Sequence, residues 1–184
     1  MSQQGPNFPT VGVDAGGGTG GDTWSTPSAI EVDDGSFSAY SITAGSSLTT
    51  NILRGTGFGF SIPTFSTING ILLEIKRASQ FSFPPQITDN LVLLLKAGVE
   101  VGNNEANATP WPVTTLTYIS YGGSSNLWGT SWTPADINNA NFGADLQGIC
   151  DNSAGQTGRV DAYRITVYYT LPGTSFSGVI VTDS

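Results

Sequence analysis

The chain has 184 residues, of which 38% are hydrophobic and only 11% charged, with glycine at 24 positions. That length fits one domain with a core of its own, and sparse charge with many turn formers suits strands better than helices, whose solvent faces normally carry Lys and Glu. A net charge of −8 and the absence of histidine argue against a nucleic-acid footprint, an anionic membrane partner and the Ser-His-Asp, Cys-His and usual zinc sites.

In chain order, residues 1–22 are rich in Gly and Pro and show no sustained period, so they read as a flexible arm. The opening MSQQGPNFPT lacks the basic and apolar regions of a secretory signal, and no apolar run is long enough to span a membrane. The chain is therefore expected to be made in a cytoplasm, without disulfides, and its lone cysteine, Cys150, reads as a small buried hydrophobe. GGGTGG (Gly16–Gly21) lacks the Lys-Ser/Thr of a phosphate loop and any helix after it.

From Thr23 onward short strand signals recur. Ser36–Thr43 alternates weakly, and Phe58, Phe60 and Ile62 share one side of a second run. In INGILLEIKR, Ile71, Leu73 and Ile75 lie opposite Glu74 and Lys76, the period of a half-buried strand. Asn69-Gly70 fits either a hairpin turn or the start of that strand. Leu91–Val101 reads as a central strand, followed by Thr114–Tyr121 and Ala144–Asp151. Val160–Thr170 sets Tyr163, Ile165, Val167 and Tyr169 on one face, with Arg164, Thr166 and Tyr168 on the other. Phe176–Val181 closes the chain as a terminal strand or an extended tail. One short helix is predicted over residues 134–139, because Thr133 can cap it, Pro134 fits its first turn and Asp136 faces its positive end.

About eight or nine strands predict an all-β fold, an antiparallel two-sheet β-sandwich of jelly-roll type. The arm would occupy 1–22, the sandwich domain 23–170 and a C-terminal extension 171–184.

Chemistry-bearing sets are few. Asp33, Asp34, Glu74, Asp89, Glu100, Glu105, Asp136 and Asp145 sit in no recognisable catalytic motif, so neither an enzyme nor a cofactor is expected. Glu31, Asp33 and Asp34 form a weak calcium candidate, with a solvated Asp-Asp-Gly turn as the favoured reading. Trp111, Tyr118, Tyr121, Trp128 and Trp132 lie in or near loops and are candidate surface or glycan-contact aromatics. The favoured alternative puts Trp128 and Trp132 at the ends of the sandwich core. The sequon Asn107-Ala108-Thr109 has no signal peptide to give it meaning.

Several stretches together resemble a known family. SQQGPNFP, WSTPSAIEVDDGSFSAYSIT, GFGFSIPTFSTINGILLEI, NLWGTSWTPADINNANFGADL (Asn126–Leu146) and GRVDAYRITVYYT (Gly158–Thr170) are similar to a β-sandwich domain widespread in tailed-bacteriophage virion proteins. The resemblance spans roughly Ser2 to Thr170, and the central stretch is its most specific part. It implies a building block of the virion, used as a decoration, fibre or tail-associated protein, with no catalytic residues.

The leading expectation is a capsid decoration or head-fibre protein held to other virion proteins by its arm, through Gln3, Gln4, Pro6, Phe8 and Pro9. One alternative is a tail-fibre or adhesin module that binds host surface glycan. Another is a filament subunit exchanging a C-terminal strand through Phe176, Val179, Ile180 and Val181. A homo-oligomer is expected, with a trimer by analogy to fibres. Nucleic acid and membrane are not expected partners.

Overall fold

The computed structural model describes residues 1–43, 45–82, 86–152 and 155–173. Eleven strands in chain order build two antiparallel sheets: β1 (Ser2–Asn7), β2 (Val11–Asp14), β3 (Ser38–Ile42), β4 (Gly45–Thr49), β5 (Leu53–Thr56), β6 (Thr67–Ser79), β7 (Thr88–Lys96), β8 (Val99–Val101), β9 (Thr117–Gly123), β10 (Gly143–Asn152) and β11 (Gln156–Thr170). The first sheet runs β1-β11-β6-β9, with β3 also on β11, and the second runs β2-β5-β10-β7-β8, with β4 also on β10.

Strands β11 and β10 each carry two short partners on one edge. Strand β11 pairs with β3 over Gln156–Val160 and with β1 over Ile165–Tyr169, while β6 fills its other edge. Strand β10 does the same with β5 and then β4, opposite β7. The expected all-β sandwich is the fold.

The period-two pattern holds where the core lies. Ile71, Leu73 and Ile75 on β6 and Tyr163, Ile165 and Val167 on β11 are fully buried against Val92, Leu94, Ala144 and Leu146 of the second sheet. Burying each such aliphatic side chain contributes about 1.5–3 kcal/mol.

The flexible-arm expectation is wrong. Gln3 and Gln4 of β1 face Tyr168 and Val167 of β11, and β2 is the outermost strand of the second sheet, paired with β5. Gln4 accepts a hydrogen bond from the Ser61 amide, Asn7 Nδ2 donates to the Phe58 carbonyl at 2.8 Å, and Pro9 is buried where the chain crosses between sheets. Of the expected attachment residues only Gln3 and Pro6 are exposed. The glycines that read as slack instead permit close packing. A Cβ on Gly12 would stand 2.3 Å from the Pro27 carbonyl oxygen, and one on Gly18 2.5 Å from the Thr50 carbonyl. Asp14 ties the segment down, accepting from the amides of Gly16 and Trp24, both at 2.8 Å.

Other details shift too. Leu91–Val101 is a hairpin rather than one strand, since β7 and β8 join through Ala97-Gly98, both with positive φ as a tight primed turn requires. Phe58, Phe60 and Ile62 are buried without belonging to a strand, and Asn69-Gly70 lies inside β6. Helix α1 (Pro134–Ile137) has a capping box: Thr133 Oγ1 accepts from the Asp136 amide, and Asp136 Oδ2 accepts from the Thr133 amide. The C-terminal contact residues Phe176, Val179, Ile180 and Val181 lie outside the described residues.

Candidate functional site

Four of the five candidate contact aromatics are core. Trp111, Tyr121, Trp128 and Trp132 are buried, so they are not surface contacts. Trp128 Nε1 donates to the Ile71 carbonyl at 3.0 Å, and Trp132 Nε1 donates to the Leu127 carbonyl at 3.0 Å. The central stretch of the family resemblance is thus a packing signature. Its Trp128, Trp132, Ile137, Phe142, Ala144 and Leu146 all enter one core, and its Thr133 and Asp136 close the helix cap. Such residues specify a fold and carry little about a partner.

Trp111 and Tyr121 belong to a buried polar cluster that the sequence reading missed. Arg77 continues the inward face of β6 two residues after Ile75, and its guanidinium reaches Asp89 on β7 of the other sheet, with contacts of 2.9 and 3.0 Å. Asp89 also accepts from Trp111 Nε1 at 2.8 Å, Tyr121 Oη at 2.8 Å and the Asn107 amide at 3.1 Å, and Arg77 also donates to Tyr121 Oη. Burial raises the Asp89 carboxyl above its ordinary range, against the pull of Arg77, and burial raises the Tyr121 hydroxyl as well. The cluster bolts the sheets together and offers no access to solvent.

The three carboxylates of the calcium candidate do not converge. Glu31 accepts the Gly12 amide, Asp34 accepts the Ser36 amide, and Asp33 turns to Lys76 and Tyr118. Each carboxylate faces N–H or O–H donors, which a cation would have to displace. Among the described residues no three His, Cys, Asp or Glu side chains gather as metal ligands.

Two outward faces carry the remaining chemistry. On the second sheet, Arg54 grips Asp145 through Nε at 2.8 Å and Nη2 at 2.6 Å and approaches Glu100 at 4.0 Å. Burial and the neighbouring Asp145 raise the Glu100 carboxyl. Asp145 is fully buried beneath this arginine, so the pair lacks the two open carboxylates of glycoside hydrolysis.

The outer face of the first sheet is partly covered: Gly70, Ala162 and Thr166 are buried, while Ser120 and Gly122 are exposed. Cross-strand register lays out four rows there: Tyr118, Lys76 and Ala162; Ser120, Glu74 and Arg164; Gly122, Leu72 and Thr166; Gly70, Tyr168 and Gln3. Arg164 binds Glu74 through two bonds of 2.8 Å and lays its guanidinium 3.8 Å from the Tyr118 ring centre. Tyr118 Oη donates to Asp33 at 2.9 Å, and burial with that carboxylate pushes the hydroxyl up to about 12. Lys76 lies between Asp33, at 2.5 Å, and Asp161, at 2.6 Å. The side chains of Tyr118 and Tyr168 are half-buried. Of the aromatics singled out from sequence, only Tyr118 reaches this face. Glu74, Lys76, Arg164, Thr166 and Tyr168 were legible as one outward set on each strand, but not as one surface.

No family model matches this chain, and no curated protein matches it. Among solved structures it is similar to an arabinose-bound GH51 α-L-arabinofuranosidase, at 14% identity and a TM-score of 0.43, over 89% of this chain and 26% of that one. It is also similar to the family 11 carbohydrate-binding module of the cellulosomal cellulase Lic26A-Cel5E of Clostridium thermocellum, at 12% identity and a TM-score of 0.37, over 91% of both chains. A third is the family 11 module from Clostridium thermocellum in complex with a β-1,3-1,4-mixed-linked tetrasaccharide, at 12% identity and a TM-score of 0.36, again over 91% of both. The chain spans about a quarter of the arabinofuranosidase it matches. At these identities and TM-scores the likenesses transfer neither ligand nor activity.

Proposed function

We propose that this chain is a non-catalytic binding module that meets an extended, uncharged polymer, a cell-surface glycan, on the outer face of its five-stranded sheet. The observation that carries this reading is the layout of that face. Tyr118 on β9 and Tyr168 on β11 flank the central strand β6, displaced along it by the six residues from Gly70 to Lys76. At about 3.3 Å per residue this is roughly 20 Å, room for several sugar rings. Between them Ser120 and Gly122 are short and exposed beside half-buried Leu72, while Thr166 is buried and the Gly123-Ser124 backbone lies over Gly70. The charges nearby pair with one another, Glu74 with Arg164 and Lys76 with Asp33 and Asp161, which suits a ligand without charge. Tyrosine supplies an apolar ring with a polar tip, the combination that sugars are met by.

In the same reading the module is carried on a phage particle, in a tail-fibre or adhesin position. This setting rests on the sequence resemblance alone. A decoration protein held by a free N-terminal arm is the weaker alternative, because residues 2–7 and 11–14 are spent inside the two sheets.

The test is a glycan-array and affinity-electrophoresis comparison of wild type with Tyr118→Ala and Tyr168→Ala. The expected result is binding to at least one uncharged glycan that weakens about tenfold, ~1.4 kcal/mol, in each variant. Binding left unchanged by both substitutions, or no binding across a broad array, would contradict the proposal.

A further inference from the structure

Asp161 occupies an unusual position. Between β11 and β6, Val160 pairs with Arg77 and Ala162 with Lys76, so two residues advance on β11 while one advances on β6. Asp161 is the extra residue of a β-bulge, a device that re-aims a side chain. Here it aims the carboxylate at the neighbouring lysine on the outer face. A backbone bridge from Glu31 to Ala162 lays the Asp33 loop beside the bulge, and the Asp161 side chain is completely shut off from water.

The contact with Lys76 is close but not an ordinary hydrogen bond. Nζ stands 2.6 Å from Asp161 Oδ2, yet neither oxygen of that buried carboxylate receives an aligned hydrogen bond. On its other side Nζ lies 2.5 Å from Asp33 Oδ1. The two carboxylates differ in kind. Asp33 is about one-third exposed, bonded by Lys76 and by Tyr118 Oη, and held by them below the ordinary carboxylate range, whereas Asp161 is dry and under-bonded.

We propose that Lys76 and Asp161 join through an amide bond between their side chains, with loss of one water. The Lys76 ammonium passes a proton to Asp161, giving a neutral amine beside a neutral acid in the dry site. The freed Nζ lone pair attacks Cγ of Asp161, and a C–N bond forms as one C–O bond breaks. The departing oxygen already carries that first proton; Asp33 relays a second to it from the attacking nitrogen, and it leaves as water. One ammonium and one carboxylate become one amide and one water, with no oxidant or further reactant. Two features drive the step. Groups held in contact react at effective concentrations of roughly 10⁵–10⁸ M, which offsets the ordinary preference of amides for hydrolysis. The product also removes two charges from a site where one of them lacks solvation. Asp161 and then Asp33 hold Lys76 above the ordinary lysine range, so losing its proton is the costly part of the step, which the removal of two charges must offset. The bond would cross-link β6 and β11, the two central strands of the sheet.

The decisive experiment is the intact mass of the purified full chain under denaturing conditions, followed by peptide mapping. The proposal expects a mass one water below that of the sequence and a branched peptide joining the Lys76 and Asp161 segments. It also expects the full mass in Lys76→Arg and Asp161→Ala, and slower conversion in Asp33→Ala. Wild-type protein that is folded by circular dichroism and keeps its full mass after prolonged incubation would overturn it. A water-light mass that maps only to linear peptides, as a cyclic imide at Asp161-Ala162 would give, overturns it equally.

Discussion

Arg77 and Asp89 meet inside the sandwich, one on each sheet, in a two-point ion pair of 2.9 and 3.0 Å that water does not reach. Such a pair is a weak source of net stability but is costly to break, because the remaining partner stays charged and buried. Asp89→Ala removes the acceptor for Arg77, Trp111, Tyr121 and the Asn107 amide together. It should cost about 3–5 kcal/mol in urea unfolding. A loss near the ~0.5 kcal/mol typical of surface changes would mean the cluster is open to solvent.

Trp128 and Tyr118 should separate stability from binding. Trp128→Ala empties a fully buried site and removes the bond to the Ile71 carbonyl, at a cost of about 3–5 kcal/mol. Tyr118→Ala loses a half-exposed stack with Arg164 and should cost about 1 kcal/mol while abolishing most glycan binding. Equal stability losses in the two variants would refute the division into core and contact aromatics.

Removing residues 1–14 should prevent a stable fold. Strand β11 would lose its β1 partner and β5 its β2 partner, opening an edge on each sheet. Circular dichroism and a thermal melt decide it. A truncated chain melting within a few degrees of wild type would restore the arm reading.

Asp136 predicts an acid limb to stability. Burial would raise its carboxyl, but bonds from the Thr133 amide and hydroxyl and from Lys96 outweigh that and hold it below the ordinary 3.8. A carboxyl depressed in the folded state adds stability above its unfolded value, and that gain is lost as pH falls through the folded one. Asp136→Asn should therefore be destabilised relative to wild type by about 1 kcal/mol at neutral pH, with the gap closing below about pH 4. A gap that widens on acidification would show the sign to be wrong.

What was legible in the sequence follows from what is local. Alternation exposed the inward faces of β6 and β11, and Thr133-Pro134 with Asp136 announced the helix, because each depends on neighbours a few residues away. The N-terminal strands were hidden because Gly12 and Gly18 serve close backbone approach, which composition cannot distinguish from slack. Arg77 was hidden because a charge at an inward position makes sense only once Asp89 stands across the core from it. The contact face was half visible: each strand's outward set could be read, but not which strands lie side by side. Glu74 and Arg164, 90 residues apart, become partners only through the β6–β11 register.

A backbone-amide NMR titration with a glycan that binds on the array locates the contact residue by residue. Binding on the outer face of the five-stranded sheet should concentrate the shifts at residues 70–76, 118–122 and 162–168 and lose them in Tyr118→Ala. Shifts centred instead on the second sheet, around Arg54, Glu100 and Asp145, would contradict it.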